Sequence, residues 1–225
     1  MNLVANSLLA LGASPVMASC VLEVEEVMSN MSALYLNIGT ITSQGAEAML
    51  KATVVAKDSG VPVVLDPVGV GMSSLRRKIC AELLQTQAIK IVRGNASEIL
   101  ALDGGGESIS GVDAMHSVDA AKEADINLAK SRKLVVGLTG EQDLVTDGEE
   151  LINISGGHSL MTRVTGMGCA LSALMAAWLA VEKNALIAAK DCLAMVGRTG
   201  SLAAAKAGGP GTFVPLWLDA LYHAR

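Results

Sequence analysis

The chain has 225 residues, of which 51% are hydrophobic but only 2% aromatic, and its formal net charge at pH 7 is −5. This length suits a single domain that buries an aliphatic core. The longest apolar stretch, at residues 169–181, is shorter than the about 20 residues that a membrane-spanning helix needs. Because the chain is acidic and has no basic cluster, we expect neither a nucleic acid nor a membrane as a partner.

The cysteines and the N-terminal sequence bear on the cellular compartment. Four cysteines are far apart in the sequence and match neither a metal-binding nor a CxxC spacing: Cys20, Cys80, Cys169 and Cys192. Three of them lie in apolar helical or strand-like surroundings, which predicts small buried side chains in a reducing compartment. The first residues, MNLVANSLLALGASP, lack the basic region with which a secretory signal peptide begins. We therefore expect a cytoplasmic protein.

Helical and strand-like segments alternate from the first residues onward. In the first part, the pattern predicts helices at residues 2–11, 23–31 and 43–60, with Ser43 as an N-cap, and strands at 14–19, 33–39 and 61–67. Next come helices at 73–87, 95–104 and 119–132, with Asn95 as an N-cap, and strands at 88–94 and 133–140. The glycine-rich stretch at 103–108 is predicted to be a loop. Two short strand-like pieces at 143–148 and 150–156 indicate a hairpin, and helices follow at 169–181, 185–207 and 215–224.

This alternation is typical of βαβ units, so we predict a single α/β domain over residues 1–225 with helices on both faces of a mostly parallel sheet. Ligands of such sheets bind beyond the carboxyl ends of the strands. Predicted strands end at Asp66, at Arg93, and at Thr139 with Glu141 close behind. Two carboxylates, an arginine and a hydroxyl suit a metal–phosphate site better than a hydrolytic triad.

A glycine turn precedes the apolar helix in the stretch RVTGMGCALSALM, residues 163–175. The first N–H groups of a helix have no internal partner, and its positive dipole end favours an anion. The turn lacks the Gly-Lys-Ser/Thr of a P-loop and lies too late in the chain for a dinucleotide fingerprint. Taken alone it could be a plain tight turn. With acids at earlier strand ends, it favours a small-molecule kinase, in which catalysis depends on positioning and charge neutralisation.

Several stretches resemble one family in their order along the chain: LLALGASPVMA, LNIGT, VVLDPVGVG, RGNASEI, VTDG, RVTGMGCALSA and GPGTFVP. The chain resembles the hydroxyethylthiazole kinase family of the ribokinase-like superfamily, from Met1 to its C-terminus. The resemblance implies a three-layer α/β/α fold without a lid. It also implies transfer of phosphate from ATP, with Mg²⁺, to the alcohol of 4-methyl-5-(2-hydroxyethyl)thiazole in thiamine salvage, by a homotrimer that binds the thiazole between subunits.

The resemblance also implies residue roles. Gly166, Gly168 and Cys169 belong to the anion hole, and Cys169 stands where most ribokinase-like kinases have an aspartate base. The remaining roles are thiazole binding by Met17 and Gly166, contact with ATP phosphates by Arg93 and Thr139, and organisation of Mg²⁺, partly through water, by Asp66 and Glu98. Family members carry a further N-terminal stretch, so we expect their N-terminal strand to be missing here, through truncation or as a natural short form.

The residue types alone leave simpler interpretations open. Asp66 before Pro67 is ordinary turn chemistry, and Glu98 three residues after Asn95 fits a capping box. Arg93 could be a solvated charge, and Thr139 could cap a turn. Met17 could be a core residue, and Cys169 could be a small residue in the first turn of a helix. Functional alternatives are another ribokinase-like kinase and an inactive, truncated subunit. A nicotinamide-hydrate dehydratase would need aspartate at position 169.

Overall fold

The computed structural model describes residues 1–103 and 118–224, so the predicted glycine-rich loop lies outside them except for Asp103. Within these ranges, six strands form one sheet in chain order: β1 (Leu34–Asn37), β2 (Val63–Asp66), β3 (Ile89–Asn95), β4 (Val135–Thr139), β5 (Asp143–Thr146) and β6 (Leu151–Ile154). Strands β1 to β4 are parallel to one another. Strand β5 pairs antiparallel with β4, and β6 pairs antiparallel with β5. The predicted parallel sheet with a hairpin at its edge is confirmed.

Helices cover both faces of this sheet and make it the middle layer of three. One face packs against α2 (Val24–Met28), α3 (Ser43–Ser59), α4 (Ser74–Gln85), α5 (Ala96–Leu102) and α6 (Val118–Arg132). The other face packs against α1 (Asn2–Leu11), α7 (Met167–Val181), α8 (Ala185–Ala204) and α9 (Pro210–Tyr222). Side chains alternate along each strand, so that Val63 and Leu65 enter the first core and Val64 the second.

Local capping signals explain where helices begin. Asn95, the last residue of β3, accepts the N–H of Glu98 at 3.0 Å, and the Glu98 carboxylate accepts the N–H of Asn95 at 2.9 Å. The capping box predicted from this spacing is therefore confirmed. Helix α3 is capped by Thr42, not by Ser43 as predicted, because the Thr42 hydroxyl accepts the N–H of Gly45.

Three predicted elements differ from the structure. Residues 14–19, predicted as a strand, have no regular structure, because Pro15 has no N–H for a ladder and no described strand pairs with them. Helix α7 begins at Met167, directly after Gly166 turns the chain with a φ of 84°. Helix α9 begins at Pro210 rather than at residue 215, since the fixed φ of proline suits the first turn of a helix.

Strand alternation also decides which way the predicted site residues face. Asp66, Arg93 and Thr139 each follow a strand residue that is buried in the core beneath α3 to α6. Their own side chains therefore project toward the α7 side, at the carboxyl ends of β2, β3 and β4. None of the described helices is long and apolar enough to span a membrane.

Candidate active site

The N-terminus of α7 carries backbone donors that nothing in the helix satisfies. Gly166 is the N-cap, and it has no side chain to accept a hydrogen bond. The first intrahelical bond runs from the N–H of Ala170 to the Gly166 carbonyl, at 2.8 Å. The N–H groups of Met167, Gly168 and Cys169 therefore have no intrahelical acceptor. Free N–H groups of this kind and the positive end of a helix dipole favour an anion.

Arg93 lies against this turn. Its Nη2 donates a hydrogen bond to the Thr139 hydroxyl at the end of β4. A Cβ added at Gly168 would lie 2.5 Å from Nη1, so position 168 must be glycine for the guanidinium to pack there. In the described part of the chain, Arg93 forms no ion pair, and its Nε is buried without a hydrogen-bond partner. Its charge is thus available to an anion in front of α7.

Asp66 is a buried carboxylate with one anchored oxygen and one free oxygen. Its Oδ2 accepts hydrogen bonds from the Tyr35 hydroxyl at 3.1 Å and from the Asn37 amide at 3.3 Å, both on β1. Its Oδ1 is buried and has no hydrogen-bond partner among the described residues. Burial raises the pKa of Asp66, whereas the positive charge of Arg93 and the nearby Ser172 hydroxyl lower it. The Ser172 hydroxyl donates to the Gly168 carbonyl at 3.2 Å, so Oδ1 stays without a hydrogen bond of its own. Oδ1 is therefore the oxygen of Asp66 that is free to bind a ligand.

Glu98 is buried at the same edge of the sheet, but both of its oxygens are occupied. One accepts the N–H of Asn95, and the other accepts the N–H of Gly69 at 3.0 Å. Gly69 has a φ of 63° and lies in the loop that follows Asp66. Arg76 of α4 donates to the Gly69 carbonyl and to two further carbonyls in the loops after β1 and β2. Glu98 and Arg76 therefore hold the loop after β2 from two sides.

The structure brings most of the predicted site residues together. Asp66, Arg93, Thr139 and Gly168 meet at the carboxyl ends of the parallel strands, next to the first turn of α7. Cys169 is half-buried in that turn and lies near Tyr35 of β1, whose pKa is raised chiefly by burial and then by the charge of Asp66. Gly166 faces α1, since an added Cβ would lie 3.8 Å from the Leu3 side chain. These positions agree with an anion hole at residues 166–169.

Two predicted residues lie in exposed segments. Met17 is 49% exposed in the irregular segment between α1 and α2. Glu141 is exposed in the turn between β4 and β5. The acid of that turn that faces Arg93 is Asp143, whose pKa is raised by burial and lowered by the Gly140 N–H and by the Arg93 charge. The sequence places both acids after a strand, but it does not show which one turns inward.

Sequence reasoning missed Tyr35 and Asn37, the two partners of Asp66. They are alternate residues of β1, so they project to the same face of the sheet. In the β1–β2 register, Asn37 lies directly beside Asp66. A signal was present, because two polar side chains with this spacing interrupt an otherwise apolar strand.

The carboxylates of the site fit Mg²⁺ better than a metal held by protein ligands alone. Within residues 1–103 and 118–224, no three His, Cys, Asp or Glu side chains are arranged to hold a metal ion. Mg²⁺ commonly takes one or two carboxylates and completes its shell with water and substrate phosphates. The free Oδ1 of Asp66 meets this requirement, while the occupied oxygens of Glu98 favour contact through water.

Comparison with known proteins gives consistent matches along the whole chain. The model of the family described as "Hydroxyethylthiazole kinase family" matches residues 1–225. A hydroxyethylthiazole kinase of Oleidesulfovibrio alaskensis is 47% identical over 99% of this chain and 84% of its own length. The same enzyme of Granulibacter bethesdensis is 48% identical over 98% of this chain and 80% of its own length.

Solved structures show the same relation. A hydroxyethylthiazole kinase protein from Pyrococcus horikoshii superposes with a TM-score of 0.90 at 39% identity, and the match covers 99% of this chain and 84% of that one. A pyridoxal kinase from Staphylococcus aureus, in complex with AMP-PCP and pyridoxal, gives a TM-score of 0.63 at 19% identity, over 88% and 82% of the two chains. The second match shows only that the two chains share the three-layer fold.

Proposed function

We propose that this chain, which belongs to the hydroxyethylthiazole kinase family, transfers the γ-phosphoryl group of ATP to the alcohol of 4-methyl-5-(2-hydroxyethyl)thiazole in thiamine salvage. The residues supply the chemistry that such a transfer needs. The single observation that carries the proposal is the convergence of three groups with free binding capacity at one edge of the sheet. These groups are Asp66 Oδ1, the Arg93 guanidinium, which forms no ion pair with a described residue, and the first N–H groups of α7.

Phosphoryl transfer asks the protein for positioning and for charge neutralisation. In the proposed complex, the γ-phosphate lies in front of α7, where the N–H groups of residues 167–169 donate to its oxygens. Arg93 neutralises the charge, and Thr139 fixes the guanidinium by accepting its hydrogen bond. The alcohol oxygen bonds to the γ-phosphorus while the bond to the β–γ bridging oxygen breaks, and ADP leaves with that electron pair.

The alcohol proton needs only weak assistance. In a loose transition state the attacking alcohol loses its proton late, so a strong base contributes little. We place Cys169 beside the alcohol as a hydrogen-bond partner in the first turn of α7. The proton then passes to a phosphoryl oxygen or to water. This role explains how a cysteine can occupy the position of an aspartate base.

We assign the metal to the acidic side of the site. When bound, Mg²⁺ would supply neutralisation of the negative charge on the phosphates of ATP. Asp66 would hold it through Oδ1, which is buried and has no hydrogen-bond partner among the described residues. Glu98 would contribute through water, because both of its oxygens already accept backbone N–H groups.

We propose further that the protein is a cytoplasmic homotrimer in which Met17 lines a thiazole pocket between subunits. Val16, Met17 and Leu22 expose apolar side chains in the segment between α1 and α2, and such side chains favour burial by a partner. The four free cysteines are compatible with a reducing compartment. Light scattering tests the assembly: a mass three times that of the chain supports it, and a monomeric mass contradicts it.

An assay of ATP consumption tests the activity. The purified chain is given the thiazole alcohol, pyridoxal or hydroxymethylpyrimidine, each with and without Mg²⁺. We expect turnover with the thiazole alcohol that depends on Mg²⁺ and is lost in Arg93→Ala. The matched control is Arg77→Ala, since Arg77 is a half-buried arginine of α4 whose hydrogen bond among the described residues goes to the Gly71 carbonyl. Turnover with another alcohol and none with the thiazole would overturn the substrate assignment, and no turnover at all would support the inactive-subunit alternative.

A further inference from the structure

Tyr35, Asn37 and Asp66 form a closed set of hydrogen bonds across β1 and β2. The Asn37 amide donates to the Tyr35 hydroxyl at 2.6 Å and to Asp66 Oδ2 at 3.3 Å. The Tyr35 hydroxyl donates to the same Asp66 oxygen at 3.1 Å. Two donors therefore converge on Oδ2, and none of the described residues donates to Oδ1.

The direction of each hydrogen bond follows from the surroundings. The carbonyl oxygen of the Asn37 side chain accepts the N–H of Gly39 at 2.8 Å, which turns the amide NH₂ toward Tyr35 and Asp66. Because the Tyr35 oxygen accepts from that amide, its own proton is free to point at Asp66. The order of donation is thus Asn37, then Tyr35, then Asp66.

We propose that Tyr35 and Asn37 are positioning residues. They hold Asp66 in one orientation, so that Oδ1 is the oxygen that faces the bound metal. This inference rests on the proposed kinase function. An unanchored carboxylate would rotate and present either oxygen, whereas two fixed donors leave a single orientation. Groups that orient a metal-binding carboxylate in this way tune how tightly the ion binds.

The experiment measures metal binding without turnover. Mn²⁺ serves as the probe for the Mg²⁺ site, and it is titrated into the protein with ADP and followed by electron paramagnetic resonance. Tyr35→Phe removes the hydroxyl and keeps the ring. Asn37→Ser removes the amide donor but leaves a hydroxyl that can accept the N–H of Gly39. The matched control is Tyr222→Phe on α9, outside this hydrogen-bonded set.

We expect each site variant to weaken Mn²⁺ binding about tenfold, as is typical when an orienting partner is lost. In the thiazole assay, kcat should fall with the metal affinity while KM for the alcohol changes little. Tyr222→Phe should match the wild type in both measurements. If Tyr35→Phe does not fold, Asn37→Ser alone decides the outcome.

Two results would overturn the inference, and they have different meanings. If the variants unfold at a lower temperature but bind Mn²⁺ and turn over as the wild type does, the two residues only stabilise the fold. If the wild type itself neither binds Mn²⁺ with ADP nor phosphorylates the thiazole alcohol, the proposed function fails, and the inference fails with it.

Discussion

Asp66 and Glu98 are both buried acids at the carboxyl edge of the sheet, but their hydrogen bonding differs. Glu98 belongs to a brace, formed with Gly69 and Arg76, in which both of its carboxylate oxygens accept a backbone N–H group. Asp66 instead leaves one oxygen without a partner, next to Arg93, which forms no ion pair, as far as residues 1–103 and 118–224 show. The unpaired Asp66 oxygen lies beside a cation and a helix N-terminus, and this combination, rather than the unpaired oxygen alone, favours a ligand at the site.

The largest expected effect is that of Asp66→Asn. The substitution keeps the size of the side chain but removes the charge that would hold the metal. We expect kcat to fall about 100- to 1,000-fold, as on loss of one electrostatic contact to a transition state. The unfolding temperature should stay within a few degrees of wild type, because burial already disfavours the charged form.

Asp58→Asn on the exposed end of α3 is the control for that variant. Steady-state kinetics and thermal unfolding are measured on both proteins. Near wild-type turnover in Asp66→Asn would remove this carboxylate from the chemistry.

Substitution of the glycine turn should have the next largest effect. In Gly168→Ala, the new Cβ would lie 2.5 Å from Arg93 Nη1, so the guanidinium must move. We expect kcat to fall by up to about 100-fold, since a misplacement of 1 Å can cost that much. Gly211→Ala on α9 is the matched control, because an added Cβ there has no atom within 4 Å. Equal turnover in the two variants would contradict the anion hole.

Asp125 is a third buried acid, and it lies on α6 rather than in the candidate site. Asp125 on α6 has no exposed surface, and neither of its oxygens has a hydrogen-bond partner among the described residues. Burial, followed by the charge of Asp103, raises the pKa of Asp125 to about 7. Because the unfolded chain releases this proton near the ordinary pKa of about 4, stability should fall as the pH rises from about 4 to 7 and then level off.

Asp125→Asn should remove this pH dependence without changing kcat. Between pH 5 and pH 8, the wild type should lose about 2 kcal/mol of unfolding free energy relative to the variant. Urea unfolding at the two pH values measures the difference. Parallel stability curves for the two proteins would show that Asp125 does not hold its proton in this way.

Substitution of Glu98 should mainly lower the stability of the fold. Glu98→Gln leaves one oxygen that can accept, so one of the two backbone N–H groups loses its partner. We expect a loss of about 1–2 kcal/mol of unfolding free energy and a smaller fall in kcat than in Asp66→Asn. Glu47→Gln on α3 is the exposed control. Unchanged stability with a loss of turnover as large as that of Asp66→Asn would place Glu98 with the chemistry instead.

The smallest expected effect is at Cys169. Cys169→Ser should keep measurable turnover, within about tenfold of wild type, because a late proton transfer needs little base strength. Cys169→Asp should not abolish activity, since the resemblance to ribokinase-like kinases implies that an aspartate is tolerated at this position. Both variants are assayed with their folding checked by circular dichroism. Complete loss in both, with the fold intact, would contradict the weak-base role.

Much of the fold could be predicted because its signals are local. Continuous apolar runs predicted the parallel strands, and the spacing of Asn95 and Glu98 predicted a capping box. The prediction of a strand at residues 14–19 was wrong because a strand needs a pairing partner, and the sequence does not show whether one exists. For the same reason the brace was not predicted, as it joins loops that lie far apart in the chain.

The candidate site was predictable only in part. Asp66, Arg93 and Thr139 follow from the rule that ligands bind beyond strand ends. Tyr35 and Asn37 could not be assigned, because their contact with Asp66 depends on the register between β1 and β2. Asp143 was missed in favour of Glu141, since which acid faces Arg93 depends on the conformation of the turn. The role of Met17 stays a prediction.

The most direct test is a crystal structure of the protein with ADP, aluminium fluoride, Mg²⁺ and the thiazole alcohol. We expect the planar fluoride, which mimics the phosphoryl group in transfer, to lie between Arg93 and the N–H groups of residues 167–169. The metal should lie on the side of Asp66 Oδ1, and Oδ2 should keep its bonds to Tyr35 and Asn37. A fluoride bound away from the first turn of α7, or a metal held without Asp66, would contradict the account.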